Sequence, residues 1–222
     1  MSILGMDTST AASAVCVLRG DGEAFEVAPE PAALGAPPAH ARELMPAVAT
    51  VMEQAGLGYR DLDAIAVGVG PGTFTGLRIG IATARALAGA NDLPLKPVSS
   101  LAALAAGIEA ELRLPLIDAK RGELFAALYG ADGEPRWGPL AEPPKDVAER
   151  VRADAATPLA AGDGSVRFRG VLEAAGIRVL PDESGSHVVR ALHVCRLAAQ
   201  VPGTPPQAVR PDYLRAPDAK PQ

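Results

Sequence analysis

Aromatic residues make up only 4% of this 222-residue chain, with a single tryptophan. Its core must therefore be packed from small and aliphatic side chains, and stacking on nucleic-acid bases is disfavoured. Cysteine is nearly absent: Cys16 and Cys195 stand far apart in the sequence. That excludes a disulfide framework and a thiolate metal cluster, and it points to a reducing cytoplasm. No apolar run approaches the roughly 20 residues of a membrane helix. The start, Met1-Ser2-Ile3-Leu4-Gly5-Met6-Asp7, reaches an acid before a signal-peptide apolar region could form. Positive charge is short as well: 21 Lys and Arg against 26 Asp and Glu leave a net charge of −5. Such a chain is not expected to grip nucleic acid or an anionic membrane by itself. What remains is an ordinary globular composition, 48% hydrophobic and 21% charged, with 23 glycines and 21 prolines, and it shows no repeat of solenoid length.

Strands are expected over Ile3 to Met6, Ser13 to Leu18 and Phe25 to Val27, joined by tight turns as an antiparallel meander. A Pro/Ala-rich loop, Ala28 to Ala39, follows. From His40 the period becomes helical, with Leu44, Val48, Val51 and Ala55 on one stripe and Met45, Ala49, Met52 and Gly56 on the next. Two adjoining stripes are wider than one sheet contact needs. Either the helix is deeply packed in its own domain or part of it is a surface for a partner. Asp63 to Val69 reads as a buried strand running into Gly70-Pro71-Gly72-Thr73-Phe74-Thr75-Gly76-Leu77-Arg78-Ile79-Gly80, which opens a long helix ending near Gly89. Val98 closes a further strand, and Ser99-Ser100 caps a helix through Ala106.

After a break at Arg113-Leu114-Pro115, strands are expected over Leu116 to Asp118, Glu123 to Tyr129, Leu159 to Ala161 and Arg178 to Leu180. Helices are expected over Lys145 to Arg152, Val166 to Ala175 and His187 to Val201, with an extended Pro-rich tail. A strand-rich opening followed by alternating helices and strands thus occurs twice. The class is α/β, with two related lobes over residues 1–109 and 110–222.

Two segments carry candidate chemistry. Asp7-Thr8-Ser9-Thr10 sets a carboxylate and three hydroxyls at a strand terminus. Such a turn could hold a hydrated magnesium and a phosphate, or it could satisfy its own backbone as an Asx turn. In the Gly70–Gly80 segment, two glycines flank a proline ahead of a helix N-terminus, but the Walker Lys-Ser/Thr pair is absent and no dinucleotide glycine pattern fits. Along that helix Gly76, Gly80, Ala84 and Ala88 recur every four residues, a stripe on which another backbone could lie closely. Arg78 and Arg85, seven apart, point the same way on an adjoining face. Packing of the helix on its own sheet accounts for the glycines but not for the paired arginines.

Asp7-Thr8-Ser9 after a first strand, the Gly-Pro-Gly-Thr-Phe-Thr-Gly-Leu-Arg-Ile-Gly run, and Asp118-Ala119-Lys120-Arg121-Gly122-Glu123 closely resemble the TsaB (YeaZ) family. The ending Arg210-Pro211-Asp212-Tyr213-Leu214-Arg215 resembles that family's closing Pro-x-Tyr-Leu-Arg. The matches run in order along nearly the whole chain, although Gly130 to His187 agrees only in general pattern. The resemblance implies an actin/Hsp70/sugar-kinase-like fold of two ribonuclease-H-like lobes. It also implies a non-catalytic scaffold that pairs through its first two helices with a TsaD-type ATPase and works with a TsaE-type ATPase. Those partners transfer a threonylcarbamoyl group to the adenosine next to the anticodon of certain tRNAs. The expected partner contacts are His40, Leu44, Val48, Val51, Gly76, Arg78, Gly80, Ala84 and Arg85, with a homodimer through the same surface when the partner is missing. The tRNA is engaged only indirectly, and no membrane and no cofactor are expected.

Asp7, Thr8 and Ser9 are the candidates for weak nucleotide binding, and Ala161-Gly162-Asp163-Gly164-Ser165 is either a remnant adenosine turn or a plain strand–helix turn. The related catalytic subunit carries two histidines spaced by three residues at the start of its first long helix. Here the matching stretch is His40-Ala41-Arg42-Glu43-Leu44, so the second ligand is a leucine and no metal site is expected. The alternatives from other classes are a small-molecule kinase with Asp7 at its magnesium, and a metallopeptidase, both of the same superfamily.

Overall fold

The computed structural model describes residues 1–154 and 157–215. The first sheet holds β1 (Ile3–Asp7), β2 (Ala14–Leu18), β3 (Ala24–Val27), β4 (Ala64–Gly70) and β5 (Leu95–Ser99) in the order β3-β2-β1-β4-β5. The second holds β6 (Arg113–Lys120), β7 (Glu123–Tyr129), β8 (Pro135–Glu142), β9 (Leu159–Ala161) and β10 (Arg178–Val179) in the order β10-β9-β6-β7-β8. In each, three antiparallel strands are followed by two parallel ones, so the second sheet repeats the topology of the first. This is the expected actin/Hsp70/sugar-kinase-like pair of ribonuclease-H-like lobes.

Helices α1 (His40–Ala55) and α2 (Phe74–Ala90) cover the outer face of the first sheet. Gly56 ends α1 in the left-handed conformation, φ 65°, which lets its N–H close on the last carbonyls. Helix α3 (Ser100–Ala105) begins at Ser99, whose hydroxyl accepts from the Ala102 N–H. It packs with α7 (Ala191–Ala198) in the central core, which takes residues from both sheets. Helices α4 (Pro144–Ala153) and α6 (Arg169–Ala174) cover the outer face of the second sheet, and α5 (Asp163–Arg167) leads into α6. The result is a layered sandwich in which the inner helices are shared.

Several sequence expectations need correction. The helix expected over Val166–Ala175 is interrupted at Phe168, and that expected over His187–Val201 is shortened to α7 behind a 3-10 turn at Gly185–His187. Strand β8 was not expected at all. The Ala28–Ala39 loop contains a 3-10 turn, Pro31–Gly35. The tail is docked through Arg215, and residues 216–222 of it lie outside the described residues. The chain also returns after β10, since α7 packs on β1 and β2 of the first sheet. There Cys16 and Cys195, distant in sequence, come together as buried free thiols. The Cys195 Sγ lies 3.6 Å from the carbonyls of Ile3 and Cys16, in room left by Gly5. Burial pushes the Cys195 thiol well up from its ordinary value. Among the described residues no helix is long and apolar enough to cross a membrane.

Candidate functional site

The parallel strands β1 and β4 end side by side, and their carboxyl ends meet the first turns of α2 and α3 at one edge of the sheet, where α/β folds usually bind ligands. Asp7 ends β1 and is 1% exposed. Its Oδ1 accepts from the Ser9 N–H (2.8 Å) and Ser9 hydroxyl (2.6 Å), and its Oδ2 accepts from the Ser100 hydroxyl at 2.7 Å. Gly68 of β4 leaves that space, because a Cβ there would lie 1.8 Å from Oδ2. Burial raises the Asp7 pKa, and the hydrogen bonds from Ser100 and Ser9 oppose this without overcoming it.

Thr8 and Ser9 are equally buried. The Thr8 hydroxyl donates to the Gly76 carbonyl at 2.7 Å, and the Ser9 carbonyl accepts from the Thr73 N–H at 2.7 Å. The turn is therefore the self-satisfied Asx form, roofed by the Gly72–Gly76 backbone. Asp7, Thr8 and Ser9 offer no open oxygen to a phosphate or a magnesium, which removes the support for weak nucleotide binding here and for the kinase reading built on Asp7.

The partner stripe also turns inward. Leu44, Val48 and Val51 are buried within the core of the first lobe, where α1 packs on β2 and β3. His40 is 3% exposed; its Nδ1 pairs with the Ser13 hydroxyl at 2.8 Å, and its Nε2 has no hydrogen-bond partner among the described residues. Burial lowers its pKa. Gly76 and Gly80 are closed over by Thr8, since Cβ atoms there would sit 2.0 Å from the Thr8 carbonyl oxygen and 2.3 Å from its Oγ1. Ala84 and Ala88 are fully buried against the sheet. The close backbone approach that the stripe permits is thus made by the chain's own β1 turn. Of the nine expected contact residues, Arg78 and Arg85 alone extend beyond this core.

Those arginines have an internal explanation that periodicity did not supply. Arg85 donates to the Val209 carbonyl. The Arg78 guanidinium lies 3.8 Å from the Phe74 ring centroid and its Nε donates to the Tyr213 hydroxyl at 3.1 Å, while Tyr213 stacks on Phe74 at 5.1 Å. Both hold the C-terminal segment against α2.

Across the cleft, the β6–β7 hairpin carries the second cluster. Lys120, Arg121 and Gly122 all have positive φ, at 62°, 53° and 82°. The last two form the tight turn, and the bulge at Ala119 turns Lys120 outward. Asp118 holds this shape: Oδ1 accepts from the Lys120 N–H (2.9 Å), and Oδ2 from Lys120 Nζ (2.8 Å) and Arg167 Nη1 (2.6 Å). Burial alone would raise the Asp118 pKa, but these hydrogen bonds outweigh it and the carboxyl lies below its ordinary value. Asp163 accepts from the Asp118 N–H at 2.9 Å, and burial raises its pKa.

These residues line two cavities. One of about 640 Å³ lies beside Glu30, Asp163, Arg167 and Asp182, and one of about 660 Å³ beside Phe74, Arg78, Lys120 and Tyr213. The Gly162 turn adjoins the first. A Cβ on Gly162 would lie 2.0 Å from the Leu116 carbonyl oxygen, and its N–H donates to Nδ1 of the fully buried His187 at 3.0 Å. Its glycine thus serves close packing on β6, as in a plain strand–helix turn. Among the described residues no group of three His, Cys, Asp or Glu converges to hold a metal.

A lowered carboxyl pKa means that Asp118 stabilises the fold above its unfolded value of 3.8, and that this contribution is lost as pH falls through the lower folded value. Lys120 and Arg167 are roughly half exposed, so Asp118→Asn is expected to cost about 1 kcal/mol at neutral pH. Urea unfolding should show that cost shrinking below pH 3.8; a cost that persists unchanged in acid would mean the ion pairs are not its source.

The model of the family described as TsaD, tRNA N6-adenosine threonylcarbamoyltransferase, matches residues 27–150. The structure superposes on YeaZ from Pseudomonas aeruginosa with a TM-score of 0.81 and 33% identity, covering 96% of this chain and 99% of that one. The chain belongs to the TsaB/YeaZ family. The tRNA threonylcarbamoyladenosine biosynthesis protein TsaB of Escherichia coli is 37% identical over 144 residues, which are 62% of this chain and 58% of that protein. An uncharacterised protein of Mycobacterium tuberculosis is 35% identical over 225 residues, 99% of this chain and 94% of its own. The chain thus matches about half of the length of several curated TsaB relatives and nearly all of the mycobacterial one.

Within this TsaB/YeaZ chain, sequence reading missed the residues that act over long range. Glu26 of β3 accepts from Arg190 and from the Leu192 N–H at 3.0 Å, tying an edge strand to the start of α7. Lys96 Nζ donates to the carbonyls of Ala198 and Val201 at 3.0 and 2.7 Å, closing the other end of that helix. Only the acidic and basic character of these positions was visible beforehand; their partners lie more than a hundred residues away.

Proposed function

We propose that this chain is a non-catalytic scaffold subunit for tRNA threonylcarbamoyladenosine formation, pairing with a TsaD-type ATPase and acting with a TsaE-type one. The observation that carries the reading is the state of Asp7: the carboxylate best placed for chemistry is sealed by Ser9, Ser100 and the α2 backbone. His40, with leucine at the second ligand position, likewise has no partner ligand for a metal. The partner surface in this reading is the outer face of α1 and α2, where Met45 is 45% exposed and Phe74 36% exposed. The buried stripes behind it set the shape of that face. Left alone, the same face joins two copies of this chain. A net charge of −5 leaves the RNA to the catalytic partner, and the cytoplasm is the compartment.

Size-exclusion chromatography with the cognate TsaD-type protein tests this. Co-elution at micromolar concentration is expected, and it restores modification in a mixture lacking only this chain. Met45→Glu, on an exposed position, is expected to weaken the pair about tenfold or more, with its own unfolding midpoint unchanged. Separate elution of the unaltered proteins overturns the reading.

A further inference from the structure

The C-terminal segment joins the two lobes in a way that the partner reading does not require. Its first part is an anchor: Thr204 exchanges backbone hydrogen bonds with Leu95 (3.0 and 2.8 Å), and Val209 is buried in the core beneath α2. Its second part is held at the surface. The Asp212 N–H donates to the Val69 carbonyl at 2.7 Å, Tyr213 stacks on Phe74, and Leu214 lies against the central core. Arg215 then crosses to the other lobe, donating to the Ala119 carbonyl at 3.0 Å and pairing with Glu123 at 3.1 Å. Residues 212–215 thereby form one wall of the 660 Å³ cavity, with the Gly72–Phe74 loop and the β6–β7 hairpin as the others.

The two parts differ in what holds them. The anchor is a sheet bridge and a core valine. The tip depends on a stacked pair of which both residues are 36% exposed, on single hydrogen bonds at Asp212, Tyr213 and Arg215, on a partly buried Leu214, and on an ion pair whose side chains are 28% and 32% exposed. Contacts of that kind open locally at much lower free energy than the core does. We propose that residues 210–215 are a releasable clasp. It pins the β6–β7 hairpin of the second lobe to α2 of the first, and it frees both ends together when it opens. Opening would bare Phe74 and Arg78, remove a wall of the cavity, and free the hairpin from its tie to the first lobe. Because Phe74 lies on the face assigned above to the catalytic partner, docking there would be coupled to the hairpin; that consequence rests on the partner reading, whereas the clasp itself does not.

The test uses the chain alone, so it is decided whether or not a partner binds. Coupling between two ends is reciprocal. Arg215→Ala removes contacts at Ala119 and Glu123, yet it should raise hydroxyl-radical labelling of Phe74 by up to about threefold, the ratio of full exposure to the present 36%. Tyr213→Ala removes contacts at Phe74 and Arg78, yet it should speed amide exchange across residues 119–123 about tenfold, with β1 and β4 unchanged. If Arg215→Ala also loosens β1 and β4, Glu123→Gln decides by the same readout, because it alters only the charge facing Arg215. Phe74 labelling and hairpin exchange that stay at the unaltered protein's rates overturn the clasp, as does loosening confined to the end that was altered.

Discussion

Gly76→Ala is expected to destabilise the protein by roughly 3 kcal/mol, despite the gain of about 1 kcal/mol that alanine brings to a helix interior. The added Cβ would lie 2.0 Å from the Thr8 carbonyl oxygen and 2.6 Å from Thr73 Oγ1. The Thr73 hydroxyl can rotate away, but the Thr8 carbonyl cannot withdraw cheaply. The Thr8 hydroxyl is hydrogen-bonded to the Gly76 carbonyl, the Thr73 N–H to the Ser9 carbonyl, and Gly72 is itself pressed against Ser9. Gly80→Ala gives the control, because its Cβ would meet the Thr8 side chain, 2.3 Å from Oγ1 and 3.5 Å from Cβ. Thr8→Ala costs about 1 kcal/mol through its lost hydrogen bond. It should nevertheless rescue Gly80→Ala by about 2 kcal/mol while leaving Gly76→Ala additive, since there the obstacle is backbone. Urea unfolding of the singles and the two doubles checks this. Rescue of Gly76→Ala by Thr8→Ala, or a cost for Gly76→Ala under about 1 kcal/mol, would show that α2 does not sit on the β1 turn as tightly as these distances require. Had the glycine stripe been a docking seat for another chain, the same variants would keep their stability and lose only association.

That contrast marks where sequence reading reached its limit. Period and composition made β1, β2, α1, α2 and the duplicated lobes legible, because each is a local pattern closed by a local signal such as Gly56 or Ser99. A buried stripe, however, declares only that something covers it. Leu44, Val48 and Val51 read the same whether the cover is β2 and β3 or another protein, and Gly76 and Gly80 read the same whether the close neighbour is Thr8 or a partner helix. Arg78 and Arg85 required Tyr213 and Val209, more than a hundred residues on, before their purpose was visible. Strand β8 was hidden for a different reason: Pro135, Gly138 and Pro139 read as breakers, yet β8 is an edge strand bonded on one side, where proline is tolerated. The Asp7 turn was legible as a pair of alternatives, and burial decided between them. The segments that carry the family resemblance, Asp7–Ser9 and Gly70–Gly80, pack on each other and hold the first lobe together.

Asp7 is also where stability should respond most distinctively to pH. Asp7→Ala leaves the Ser9 N–H and the Ser9 and Ser100 hydroxyls without their acceptor in a buried site, and several kcal/mol of destabilisation are expected at roughly 1–3 kcal/mol per unsatisfied group. Asp7→Asn keeps an acceptor for Ser9 and removes the charge, so its effect depends on pH in a definite direction. Burial raises the folded pKa of Asp7 above the unfolded value of 3.8. Between those two values the native state holds a proton that the unfolded chain has released, so stability falls as pH rises through the window. Below 3.8 the carboxyl is neutral in both states and the penalty vanishes; above the folded pKa the penalty is complete. The stability of Asp7→Asn relative to the unaltered chain should therefore be greatest above the folded pKa and shrink as pH falls through it toward 3.8, as read from paired urea titrations. This is opposite in sign to Asp118, whose carboxylate supports the fold at neutral pH and stops doing so in acid. A difference that is flat with pH, or that grows in acid, would mean that Ser9 and Ser100 stabilise the Asp7 carboxylate more than burial penalises it. In that case the sealed turn would favour a charged carboxylate over a neutral one.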